Sequence, residues 1–223
     1  DARVRGEVQN LVEANVLRQN TVLIHAIALG EGDPERIAAA KACVVWCPQS
    51  NRRLYGATAD VAALRTAGVR IGLGSDSPMS GARDALSNLA AARGERAVTD
   101  AELVEMATSG SAEVARLPGG RTEPGQPADL VAVDSLEAWL DGDRRALALV
   151  VAAGRPLYGE PALLDALGVR WRPVTVDGAA RGLEAELARR ATGLVRAHAA
   201  LADVEWMRGL AFSASPLPPG PPR

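Results

Sequence analysis

Residues 22–56 read VLIHAIALGEGDPERIAAAKACVVWCPQSNRRLYG, two apolar runs separated by a helical stretch. Thr21 to His25 predicts a short buried strand. Asp33-Pro34 is a helix start, because the first helical turn has no use for the N–H that proline lacks, and Glu35 to Ala42 forms the helix. Cys43 to Cys47 predicts a second buried strand ended by Pro48, and Gln49 to Gly56 reads as turn. A strand, a short helix and a strand are the unit from which parallel sheets are built.

The same rhythm extends on both sides. Val4 to Arg18 places Val4, Val8, Leu11, Val12 and Val16 at helical spacing. Thr58 to Ala67 predicts a helix stopped at Gly68. Val69 to Gly74 is a third strand, followed by Ser75-Asp76-Ser77-Pro78, and helices are expected over Arg83–Arg93 and Asp100–Arg116. The strands are unbroken apolar runs, as in sheets covered on both faces. His25, Ser50, Asn51 and Asp76 all fall at or just beyond strand C-termini, the functional rim of α/β sheets and barrels. Three such strands cannot close a barrel.

After Pro118-Gly119-Gly120 the pattern becomes β-type, with a strand over Asp129–Asp134 and a strand pair around Gly154-Arg155. Leu183 to Met207 reads as one long helix whose apolar stripe includes His198, expected half-buried and hydrogen-bonded, and the tail SASPLPPGPPR reads as disordered. The expected division is 1–117, 118–178, 179–210 as a helical extension, and 211–223 as tail.

Bulk properties narrow the partners. The 223 residues are 48% hydrophobic with a formal charge of −2. That balance argues against nucleic acid or an anionic membrane as the main partner. No apolar run is long enough to span a bilayer, and a cytoplasmic setting is expected. Cys43 and Cys47 sit four apart in one run, too distant along a strand for an unstrained bridge, and read as buried thiols.

His25 taken alone reads as metal ligand, general base or hydrogen-bonded core residue, the last being commonest for an isolated histidine. Asp76 needs donors or a cation to offset its desolvation, or simply caps the next helix. Together they put an imidazole and a carboxylate on one rim, groups that suit Zn2+ or Fe2+.

The ordered segments LIHAIAL, VVWCPQSNRRLYG, VRIGLGSDSP and GGRTEPGQPADLVAVD resemble the late part of the metal-dependent amidohydrolase superfamily, nearest its cytosine deaminase and chlorohydrolase-like group. The resemblance covers roughly residues 22–159. It implies an α/β fold: the late βα units of a partial (β/α)8 TIM barrel, followed by a small β-sandwich portion and the C-terminal helix. His25 then matches a histidine facing the activated water and substrate, a metal ligand in some members. Asp76 matches the last-strand aspartate, which binds metal and takes the water's proton. Ser50, Asn51, Ser77 and Trp46 become rim or supporting residues, and Asp129 a structural position. Trp46 stands where relatives often carry histidine, which tunes the pocket or marks lost function.

The family's His-x-His pair has no counterpart among the two histidines present. A hydrolytic zinc site needs about three protein ligands, and a barrel needs roughly 250 residues. The chain is therefore expected to be the C-terminal portion of a larger enzyme. The N-terminal half of the barrel would come from the same native polypeptide or a partner chain, with a homo-oligomer open. The implied cofactor is a divalent metal, Zn2+ first and Fe2+ or Mn2+ open. The implied reaction is hydrolysis of a C–N or similar bond in a small cyclic or amide substrate. The alternative is an inactive remnant or regulatory subunit.

Overall fold

The structure, a computed structural model, describes residues 6–198 and 210–212. It divides into two compact units, one running to Arg121 and including Leu140–Gly142, the other taking Thr122–Trp139 and the chain from Asp143.

In the first unit, α1 (Glu7–Glu13) leads to β1 (Val22–Ile24), α2 (Asp33–Ala39), β2 (Cys43–Trp46), α3 (Pro48–Tyr55), α4 (Val61–Thr66) and β3 (Arg70–Leu73). The strands form a parallel sheet in the order β1-β2-β3, with Leu23 opposite Val44 and Trp46 opposite Leu73. β2 lies between its neighbours, and Val44 and Trp46 are fully buried with Ile37 and Leu64. β1 is an edge strand that leaves Ile24 60% exposed, because nothing among the described residues pairs with its outer side.

The expected turn over Gln49–Gly56 is instead helix α3. Its signals are present in the sequence: Pro48 opens the first turn, and Gly56, at φ +67°, ends it in the left-handed conformation that glycine adopts without cost. The helix expected over Val4–Arg18 is shorter, α1 giving way to Asn15 at φ +57°. Beyond β3 lie α5 (Ala85–Gly94), capped by Asp84, and α6 (Asp100–Glu105), capped by Thr99. A π-helical turn over Met106–Gly110 joins α6 to α7 (Ser111–Ala115). This turn brings the helix against β3, where the Ser111 hydroxyl accepts from the Leu73 N–H at 3.0 Å and donates to the Met106 carbonyl at 2.6 Å.

The chain continues through β4 (Leu130–Val133), α8 (Leu136–Leu140), β5 (Leu147–Ala152), β6 (Arg155–Gly159), α9 (Pro161–Ala166), β7 (Trp171–Val176), β8 (Ala179–Glu184), α10 (Ala185–Ala197) and β9 (Leu210–Phe212). The strands of this second unit form a single antiparallel sheet in the order β4-β5-β6-β8-β7-β9, not two facing sheets, among the described residues. Asp129 holds the Ala153 N–H at 2.6 Å, fixing the β5–β6 turn beside β4.

Two expectations fail here. Leu183 belongs to β8, so the helix begins at Ala185 rather than Leu183, and the pair β7–β8 was unforeseen. Asp177-Gly178, at φ +48° and +83°, is a two-residue hairpin signal that outweighs the helical spacing beyond it. His198 ends α10 and is exposed, not half-buried. The expected helix beyond His198 and most of the tail lie outside the described residues, whereas Ala211 and Phe212 are in β9. No helix among the described residues is long and apolar enough to cross a membrane.

Candidate active site

Because β2 runs directly into α3 through Cys47-Pro48, the first turn of that helix stands above the middle strand and between the ends of β1 and β3. Consecutive residues point about 100° apart around a helix. Ser50 and Asn51, both fully buried, consequently reach opposite ways: Ser50 to Asp76 beyond β3, Asn51 to His25 beyond β1. The sequence-predicted residues His25, Ser50, Asn51 and Asp76 thus share one rim.

Both outer residues occupy left-handed backbone, His25 at φ +72° and Asp76 at φ +57°. Such conformations cost non-glycine residues about 1 kcal/mol or more and persist where surrounding structure fixes them. The His25 N–H still donates to the Val45 carbonyl at 3.0 Å, so the ladder continues to the residue that turns away.

The Asp76 carboxylate accepts from Ser50 Oγ at 2.5 Å and from Ser80 Oγ at 2.7 Å, both on Oδ2. Ser77 bonds Ser80 hydroxyl to hydroxyl at 2.8 Å, so its side chain acts on Asp76 through Ser80. The Ser50 hydrogen bond first, then that of Ser80, and after them the backbone N–H of Ser77, hold the Asp76 carboxyl below the usual carboxylate range. The two hydroxyls also fix the orientation of this exposed carboxylate.

Cys47 lies beneath. Burial first, and then the negative charge of Asp76, push its thiol up to about 11, so it remains a neutral packing group.

His25 Nδ1 and Asn51 Oδ1 are 2.8 Å apart. Asn51 Nδ2 donates to the His25 carbonyl at 3.2 Å and to Thr58 Oγ1 at 3.3 Å. Trp46, assigned to the rim from sequence, is fully buried and sends its indole N–H to Thr58 at 2.7 Å. Tyr55 sets its ring edge-on to His25, with centroids 6.2 Å apart. Together with Leu23, Ile24 and Leu29 these rings line an open cavity of about 390 Å3. Thr58, Ser80 and Tyr55 escaped the sequence reading. Ser80 lies four residues beyond Asp76 and Tyr55 four beyond Asn51, so helix and turn spacing were the available clues.

An imidazole and an ionised carboxylate are donors of the kind a divalent metal takes, and both fit such a role. They are two: no group of three or more candidate ligands occurs among the described residues.

A model of the amidohydrolase family matches residues 3–157. The chain belongs to the amidohydrolase family. It is 36% identical over 132 residues to a 5-methylthioadenosine/S-adenosylhomocysteine deaminase of Halobacterium salinarum, covering 55% of this chain and 30% of that protein. A deaminase of the same name from Pelotomaculum thermopropionicum is 28% identical over 198 residues, covering 84% of this chain and 46% of the relative. The amidohydrolase chain therefore spans less than half the length of these curated relatives. Among solved structures it is similar to an adenosine deaminase from Xanthomonas campestris with bound zinc. There the TM-score is 0.60 at 25% identity, over 67% of this chain and 39% of that one. E. coli guanine deaminase shares the fold, with TM-score 0.57 at 23% identity over 64% of this chain and 40% of that one.

Proposed function

We propose that this amidohydrolase chain is part of a metal-dependent deaminase that hydrolyses the C–N bond of an exocyclic amine on a purine-like ring. Its first unit would be the late portion of a (β/α)8 barrel. The remaining metal ligands would come from an N-terminal half in the same polypeptide or a partner chain, and the setting would be cytoplasmic.

The observation that carries this reading is the Asp76 carboxylate, held ionised by Ser50 and Ser80 on the same rim as His25. A bound divalent ion, Zn2+ first and Fe2+ or Mn2+ as alternatives, would lower the pKa of water towards 7 and polarise the scissile carbon. His25 and Asp76 are the residues of this chain that would hold or face it. Asp76 Oδ accepts the attacking water's proton and returns it to the departing amine. His25 hydrogen-bonds the water or the ring. Tyr55, edge-on to His25, offers an aromatic wall for a flat substrate.

The test is ammonia release from 5′-methylthioadenosine, adenosine and guanine by the natively purified, metal-saturated protein. Activity lost to a chelator, and lowered at least about 100-fold by Asp76→Asn, supports the reading. A protein that binds no metal from saturating zinc and releases no ammonia overturns it and leaves the inactive remnant.

A further inference from the structure

The hydrogen bonds around Asn51 determine which nitrogen of His25 carries its proton. A backbone carbonyl only accepts, so the Asn51 atom 3.2 Å from the His25 carbonyl is the amide nitrogen. The reverse orientation would set two acceptor oxygens against each other. The same nitrogen lies 3.3 Å from Thr58 Oγ1, which already accepts from the donor-only indole of Trp46. With both amide hydrogens committed, Asn51 presents its oxygen to His25 Nδ1 at 2.8 Å, and that contact is a hydrogen bond only when Nδ1 is protonated. Asn51 is fully buried, so water does not compete for its oxygen.

We propose that Asn51 is a positioning residue that holds His25 as the Nδ1–H tautomer and turns Nε2 toward the site as a lone-pair acceptor. His25 then accepts from a water or a substrate N–H, or ligates a metal, and it does not donate. Trp46 and Thr58 fix the amide and thus belong to the same device. The inference rests on the proposed deaminase only for what Nε2 meets.

The test is long-range proton–nitrogen NMR on the full native polypeptide labelled with 15N-histidine, the His25 signals being identified by their loss in His25→Gln. A pyrrole-type Nδ1 with a pyridine-type Nε2 is expected. Asn51→Leu should exchange the two signal types, while Asn51→Asp, which still accepts, should retain the original pattern. In kinetics, Asn51→Leu should lower kcat by about 10²–10⁴-fold, the range of a misplaced general-base proton, with substantial recovery in Asn51→Asp. Should Asn51→Leu fail to fold by circular dichroism, the wild type, Asn51→Asp and Thr58→Val decide, the last expected to weaken the Nδ1–H preference. A protonated Nε2 in the wild type, or an unchanged spectrum in folded Asn51→Leu, overturns the inference. A protein with the expected tautomer and no deaminase activity would overturn the proposed function and leave this inference standing.

Discussion

Ser50 Oγ lies 2.5 Å from Asp76 Oδ2, joining the first turn of one helix to a residue beyond the neighbouring strand. This bond stabilises the ionised carboxylate more than any other contact made by Asp76. Ser50→Ala should raise the Asp76 pKa towards the ordinary range. The sign follows from the lowered folded-state value: the contribution to stability is present above the unfolded pKa and is lost as pH falls through the folded one. The variant should therefore move the acid limb of the pH–rate profile to higher pH. An unmoved limb would show that Ser50 does not tune Asp76.

Gly81 closes the loop that carries Asp76. A Cβ there would sit 1.9 Å from the Ser75 carbonyl oxygen, so the backbone would have to move. Gly81→Ala should cost more than about 2 kcal/mol and weaken the Ser80–Asp76 contact. Gly94, in α5 with nothing near its missing Cβ, is the control: Gly94→Ala should gain roughly 0.5–1 kcal/mol. Denaturant melts of the two variants measure the contrast, and equal stabilities would refute it.

Cys47 is 2% exposed with a thiol pushed up to about 11. The native protein should resist iodoacetamide near neutral pH and become reactive only on unfolding. Because the folded pKa is raised, the associated stability is complete below the unfolded pKa and lost as pH rises through the folded one. Rapid labelling of Cys47 in the folded state would contradict the packing described.

Trp46→Phe removes the N–H that Thr58 accepts at 2.7 Å and leaves a small void at a fully buried position, which adds to the cost. Loss of one buried hydrogen bond should cost about 1–2 kcal/mol. A melt unchanged from wild type would mean that the bond contributes nothing.

β1 is an edge strand without a partner on its outer side among the described residues, and it leaves Ile24 60% and Val22 37% exposed. Unpaired apolar edges template association. The 223-residue chain alone should self-associate and show little hydrolase activity, and Val22→Lys should reduce the association in light scattering. A monodisperse monomer without the substitution would contradict an edge that needs further strands.

Much was legible in residues 22–76. Unbroken apolar runs over Cys43–Cys47 and Val69–Gly74 specify buried parallel strands by composition alone, whereas the run Thr21–His25, also expected buried, is an edge strand with Val22 and Ile24 exposed. Proline and glycine, which act through local backbone geometry, mark where the helices begin and end. The same local rules, applied to Pro48 and Gly56 or to Asp177-Gly178, would also have given α3 and the β7–β8 hairpin. Helical spacing beyond Leu183 masked the hairpin, because a short strand and a helix start share an apolar pattern. The amino-acid order by itself thus determined the α/β alternation, the strand ends and the placing of His25 and Asp76 just beyond two of those ends. Only the tertiary structure decided that Ser50 serves Asp76 while its neighbour Asn51 serves His25, that Trp46 is buried, and that Ser80 and Thr58 take part. These depend on the angle at which α3 leaves β2 and on hydrogen bonds between residues distant in the chain, and no local pattern encodes which donor meets which acceptor.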